Sequence, residues 1–137
     1  MICGIGVDAV AIKRFAHWHQ FSQKQLLKIF TPYELAYSLG SPLKTAERFA
    51  VRFAAKEALY KAISGLFKVR SLYGCARYIG IEHTFDQKPL LILDWEALLC
   101  DQRDLLNVRS LKAHVSLTHA EEIAIAYVIL ENEVFKP

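Results

Sequence analysis

The sequence predicts an α+β fold in which one long central helix packs on an antiparallel sheet, within a single domain spanning residues 1–137. Three observations predict it. The chain opens on a strand-like pattern, holds a long apolar helical stretch in its middle, and closes on two strand-like segments. A length of 137 residues suits one core, and a 53% apolar composition gives ample material to fill it, which excludes a disordered chain.

The first strand is expected over Ile2 to Val7, with Ile5 and Val7 on one face and Gly4, Gly6 and Asp8 on the other. Those glycines leave room for something beside Asp8. A short helix is expected near Val10 to Trp18, and another over Gln23 to Phe30. Thr31-Pro32-Tyr33-Glu34 reads as a helix start, with Thr31 as N-cap, Pro32 in the first turn and Glu34 closing a capping box. Gly40-Ser41-Pro42 ends that helix. The central helix is expected from Lys44 to Ile63, stopping at Ser64-Gly65.

Ala76 to His83 and Pro89 to Leu93 read as strands around a turn at Asp86-Gln87-Lys88, followed by a short helix near Trp95 to Cys100. Leu111 to Thr118 alternates, with Leu111, Ala113, Val115 and Leu117 on one face and Lys112, His114, Ser116 and Thr118 on the other. Ile123 to Leu130 is apolar on both faces, as a central strand would be.

The net charge of +3 is too small to argue for nucleic acid, although a local basic patch for an anion or an acidic protein remains open. No apolar run reaches the roughly 18–20 residues of a membrane span. The opening Met1-Ile2-Cys3-Gly4 has no basic n-region of a secretory signal. Cys3, Cys75 and Cys100 are odd in number and widely spaced, which fits reduced thiols better than disulfides or a zinc site. A cytoplasmic protein is expected.

The central helix is apolar almost all round, yet carries Lys56, Glu57 and Lys61 in its middle. A buried charge is costly unless it is paired or bound to a metal. Glu57 and Lys61 stand one turn apart on one face, so a surface ion pair is one reading. Asp8 taken alone reads as an N-cap for the following helix. Together, two carboxylates on separate buried elements suit Mg²⁺, a hard cation that keeps several waters and often binds substrate phosphates. His114, Ser116 and Thr118, with His119 beyond, read either as a solvated strand face or as a phosphate-binding strip. There is no nucleophile elbow, P-loop, GxGxxG or CxxC pair, so covalent catalysis has no positive support.

Gly4-Ile5-Gly6-Val7-Asp8, then Arg52-Phe53-Ala54-Ala55-Lys56-Glu57-Ala58 followed by Lys61, then His114-Val115-Ser116-Leu117-Thr118-His119, resemble three motifs of the holo-(acyl-carrier-protein) synthase family. They occur in the family's order and spacing over nearly the whole chain. The resemblance implies the small 4'-phosphopantetheinyl transferase-like fold. It implies transfer of 4'-phosphopantetheine from coenzyme A to a serine of apo-acyl carrier protein, releasing adenosine 3',5'-bisphosphate, in support of fatty acid biosynthesis. It implies Mg²⁺ at Asp8 and Glu57, with Glu57 and Lys61 catalytic. Coenzyme A would meet Arg52, Lys61, Ser64, Gly65, Lys88, Pro89, His114, Ser116 and Thr118. A homotrimer with sites at subunit interfaces is also implied.

An acidic carrier protein calls for a basic surface with an apolar anchor. Lys13, Arg14, Trp18, Phe21 and Lys24 supply both, with Arg14 matching the family's docking helix; an ordinary amphipathic helix with Phe15 and Trp18 in the core is the other reading. Two loops depart from the family: Ser64-Gly65-Leu66 stands where Gly-Thr-Gly is usual, and Asp86-Gln87-Lys88-Pro89 where Asn-Gly-Lys-Pro is usual. Two other classes compete. A non-catalytic binding module would not need Asp8 and Glu57 together. A metal-dependent phosphodiesterase or nuclease would show more clustered carboxylates.

Overall fold

In the computed structural model, which describes residues 1–133, the expected mixture of helix and antiparallel strand is present. Strand β1 (Ile2–Ala11) pairs with β5 (Ile123–Asn132), which pairs with β4 (Leu111–Ala120), giving a three-stranded antiparallel sheet ordered β1-β5-β4. Strands β2 (Ile79–His83) and β3 (Pro89–Leu93) form a separate hairpin. Between β1 and β2 lie α1 (Gln23–Leu26), α2 (Pro32–Leu39), α3 (Thr45–Ser64) and α4 (Leu72–Cys75); α5 (Trp95–Leu98) and α6 (Leu105–Val108) follow β3.

The central position of β5 matches its two-sided apolar pattern. Ala124, Ala126, Val128 and Leu130 are buried beneath α3, with Phe49, Phe53, Leu59 and Ile63 also in the core. The opposite face is open: Ile5 is 54% and Val7 52% exposed, with Ile123, Ile125 and Tyr127 exposed beside them.

The N-terminal strand runs past its expected end. Val10 pairs with Ala124, Ala11 with Ile123, and the Ile12 amide donates to Glu122 O at 2.8 Å. Asp8 therefore lies inside a strand and caps no helix. The helix expected over Val10 to Trp18 is replaced by two short 3₁₀ turns, Ile12–Phe15 and Trp18–Gln20, because pairing with β5 consumes its first residues. Phe15 and Trp18 pack at 4.5 Å within an aromatic cluster that includes Phe30, Phe49 and Phe53. Likewise Gln23–Phe30 keeps only one regular helical turn, and Ala76–Tyr78 is a 3₁₀ turn leading into a shorter β2.

The capping box at Thr31 forms as expected. Glu34 N donates to Thr31 Oγ1 at 3.2 Å, and Thr31 N to Glu34 Oε1 at 2.8 Å. Glu34 does more than cap. It is fully buried, accepts Ile81 N at 3.2 Å, and pairs with the equally buried Lys56 Nζ at 2.7 Å. Lys56 also donates to the carbonyls of Ala76 and Ile79. One ion pair thus ties α2, α3 and the start of β2 together.

Candidate active site

Asp8, Glu57 and Lys61 meet because β1 lies directly on α3. A Cβ on Gly6 would stand 1.8 Å from Ala58 O, and one on Gly4 2.6 Å from Ala62 O, so only glycine permits that approach. Asp8, two residues on and facing the same way, is 8% exposed. Its Oδ1 accepts Lys61 Nζ at 2.8 Å, and Lys61 also donates to Val7 O at 3.1 Å. Lys61 thus pairs across to the strand rather than with Glu57 on its own helix. Asp8 Oδ2 is buried and has no hydrogen-bond partner.

Glu57 stands beside Asp8. Burial and then the neighbouring Asp8 carboxyl push its pKa up to about 7, against the opposing pull of Arg14 and Lys61. Two facing carboxyls, one with a buried oxygen that no donor serves, fit a divalent cation, which Asp8 and Glu57 would hold in place of a proton. Among the described residues no cluster of three or more His, Cys, Asp or Glu forms a richer metal site.

The raised pKa predicts a pH effect on the metal-free chain. Glu57 carries its proton longer folded than unfolded, so its contribution to stability is fully present below about 4.5 and is lost as pH rises through about 7. Urea unfolding across that window should show the decline, and Asp8→Asn should weaken it. Equal pH profiles for the two proteins would mean that the carboxyls do not interact.

A second cluster gathers in a cleft of about 230 Å³, lined by Lys44, Arg48, Arg52, His83, Pro89 and His119 among others. Arg52 is 3% exposed; its Nη1 donates to Arg48 O at 3.2 Å, while Nε and Nη2 have no partner. Burial holds the Arg52 pKa below its ordinary value, although Glu34 and Tyr37 oppose this. Burial, then Arg52 and Arg48, lower that of His83. At the rim, His119 Nε2 lies 3.1 Å from Glu47 Oε1.

His114, Ser116 and Thr118 lie on the outer, exposed face of the sheet, opposite the face that carries Asp8. His114 Nε2 is 2.9 Å from Glu131 Oε2. Pro89 links two hollows: it lines the arginine cleft and also a shallower groove with Lys88, Lys112, His114 and Ser116. One chain therefore unites Asp8 with Glu57 and Lys61, and sets the His114 strip on the other side.

Residues 4–128 match the model of the 4'-phosphopantetheinyl transferase superfamily. The holo-[acyl-carrier-protein] synthase of Clostridium perfringens (strain 13 / Type A) is 36% identical over 98% of both chains. The chain belongs to the holo-(acyl-carrier-protein) synthase family. It is an enzyme of the phosphopantetheinyl transferase type. A synthase of Koribacter versatilis is 35% identical over 96% of this chain and 100% of its own. Among solved synthases, that of Neisseria meningitidis superposes with a TM-score of 0.73 at 31% identity, covering 96% and 100% of the two chains. The Bacillus anthracis synthase, solved in complex with CoA (3',5'-ADP), gives 0.71 at 28% identity over 96% and 98%.

The two loops that depart from the synthase family differ in consequence. Ser64 Oγ donates to Lys61 O at 3.2 Å, and a Cβ on Gly65 would meet nothing within 4 Å. Gln87, where the family has glycine, takes a φ of 62°, a left-handed conformation that glycine adopts with less strain. Of the residues matched to docking, Lys13, Arg14 and Lys24 are exposed and Phe21 is 45% exposed, whereas Phe15 is wholly core and Trp18 half-buried. The Arg14 guanidinium stacks 4.8 Å from the Phe53 ring centroid and influences Glu57, so it borders the carboxylates. Sequence reasoning missed Tyr37, Arg48 and His83 in the cleft. Arg48 lies one helical turn before Arg52, a spacing that would have flagged it.

Proposed function

We propose that this enzyme transfers 4'-phosphopantetheine from coenzyme A to a serine hydroxyl of apo-acyl carrier protein, with Mg²⁺ as cofactor, in the cytoplasm and in support of fatty acid biosynthesis. The Asp8–Glu57–Lys61 constellation carries the reading. The serine oxygen forms a bond to the phosphorus on the pantetheine side of the pyrophosphate, and the bond from that phosphorus to the bridging oxygen breaks. Adenosine 3',5'-bisphosphate leaves with the electron pair. Asp8 and Glu57 would hold Mg²⁺, which would supply charge neutralisation at the pyrophosphate. Lys61, whose side chain is more than half exposed, would turn its ammonium from Asp8 to the same oxygens as a point charge. The serine proton has Glu57, water or an acidic neighbour as candidate acceptors.

Coenzyme A carries a second anionic group, the phosphomonoester on its ribose. The arginine cleft, with unpartnered Arg52 nitrogens, suits it. That cleft, with Lys88 and Pro89 at its border and His114, Ser116 and Thr118 in the adjoining groove, would come from one chain to a coenzyme A held by Asp8, Glu57 and Lys61 of another, with Ser64 and Gly65 just beyond Lys61. Arg14, with Lys13, Lys24, Phe21 and the exposed part of Trp18, receives the acidic carrier beside the carboxylates.

The test is mass spectrometry of apo-carrier protein incubated with enzyme, coenzyme A and Mg²⁺. A gain of one phosphopantetheine is expected, slowed by Arg14→Glu when carrier protein is limiting. No gain at any carrier concentration would sink the reaction class.

A homotrimer with shared sites is part of the proposal. The open apolar face at Ile5, Val7, Ile125 and Tyr127 supports it, as does the separation of the His114 strip from Asp8. Sedimentation should give three chains. Mixing inactive Glu57→Ala with inactive His114→Ala chains should recover activity, because some interfaces then hold both native residues. Trimeric hybrids that stay inactive would rule out sharing.

A further inference from the structure

Arg48 and Arg52 stand one turn apart on α3, a like-charge spacing that ordinarily repels, and Arg52 is buried besides. One residue of α2 faces both. The Arg48 Cζ lies over the Tyr37 ring at 4.1 Å from its centroid, and the Arg52 Cζ at 4.3 Å. Arg48 Nη1 also donates to Tyr37 O at 2.6 Å, and Arg48 O in turn accepts from Arg52 Nη1. The His83 ring packs on Tyr37 at 4.7 Å. Tyr37 sits three residues after Glu34, whose pairing with Lys56 fixes α2 against α3, so the ring has a defined place.

We propose that Tyr37 is the positioning residue of the arginine cleft: its ring holds the two guanidiniums side by side so that both converge on the ribose phosphomonoester of coenzyme A. The face of an aromatic ring attracts a cation and offers guanidinium a flat stacking surface. Each arginine is thereby kept from swinging away from its like-charged neighbour. Arg52 lines the cleft, and its Nε and Nη2 are buried donors without a hydrogen-bond partner, which an anion entering there would satisfy. The proposal rests on the reading of the cleft as part of the coenzyme A site, and the experiment separates the two.

Steady-state kinetics of the full chain are measured with coenzyme A and with dephospho-coenzyme A, which lacks the phosphomonoester. Tyr37→Leu should raise KM for coenzyme A about tenfold, the loss of two modest cation–π contacts, with kcat unchanged. KM for dephospho-coenzyme A should stay within about twofold, because that ligand makes no use of the held arginines. Tyr37→Phe keeps the ring and loses only the hydroxyl's interaction with Arg52, so it should fall well short of the Tyr37→Leu effect. If Arg52→Ala raises KM for coenzyme A and Tyr37→Leu does not, the cleft reading stands and the role of Tyr37 is overturned. If Arg52→Ala also has no effect, the cleft reading itself fails. Equal impairment with both ligands, a fall in kcat, or a Tyr37→Phe variant as weak as Tyr37→Leu would each overturn the positioning role.

Discussion

Asp8→Ala and Glu57→Ala should each lower transfer roughly 10³-fold or more while the chain stays folded, since each would remove a proposed Mg²⁺ ligand from a site that would work by charge neutralisation. Folding should survive for a specific reason. Burial and then the facing Asp8 carboxyl hold Glu57 near 7 instead of its ordinary value of 4.5. Removing either carboxyl relieves that conflict. The ion pair lost with Asp8 has a partner, Lys61, whose side chain is 54% exposed, so it contributes little. Activity and thermal stability should therefore move independently: activity collapses, while the melting temperature of the metal-free variants at neutral pH is held or raised. Single-turnover transfer to a carrier protein and a thermal melt on the same samples read both. Full activity in either variant would remove the metal assignment. A melt that falls together with activity would mean that the carboxylates serve the fold instead.

What could be read in the sequence is what local chemistry dictates. Thr31-Pro32-Tyr33-Glu34 starts a helix because the side chains of a capping box satisfy backbone donors three residues away, and the structure forms those bonds. The central helix ends at Ser64 as its glycine signal indicates. The polar alternation of β4 and the two-sided apolar pattern of β5 follow from the period of a strand. Asp8 and Glu57 could be matched as two carboxylates on separate buried elements and through the family resemblance, whereas the fold alone shows that what fills the room left by the strand glycines is α3.

The misreadings share one cause. Val10 and Ala11 carry the strand onward because β5 lies beside them, more than a hundred residues away, and no local pattern announces that pairing. The stretch from Lys13 to Trp18 is expected on a helix; the reading that puts Phe15 and Trp18 in the core holds, but on two 3₁₀ turns and in an aromatic cluster that α3 completes. Tyr37 and His83 gain a role only when α2 and β2 are brought to one side of α3. Lys56 is the sharpest instance. Its position in an apolar helix signalled that a partner was needed, and that partner was already visible as Glu34, apparently occupied in full by a cap.

That double use makes Lys56→Met the substitution with the largest expected effect on stability. Lys56 and Glu34 are both completely buried, and Nζ holds one carboxylate and two carbonyls from three separate elements. Methionine matches the length of the stem but leaves Glu34 as an uncompensated charge in the core. Breaking one side of a buried pair costs about 3–5 kcal/mol, a large share of the ~5–15 kcal/mol that holds a typical domain together. Urea unfolding should show that loss. A second change, Glu34→Gln, removes the stranded charge while its side-chain carbonyl can still accept from Thr31 N or Ile81 N, the two amides Glu34 serves. The double variant should therefore recover most of what the single one loses. Strong non-additivity of this sign is what a coupled pair produces. If Lys56→Met is as stable as the native chain, the pair does not hold the fold. If the double variant is no better than the single, the loss comes instead from the Ala76 and Ile79 carbonyls that Lys56 leaves without a donor.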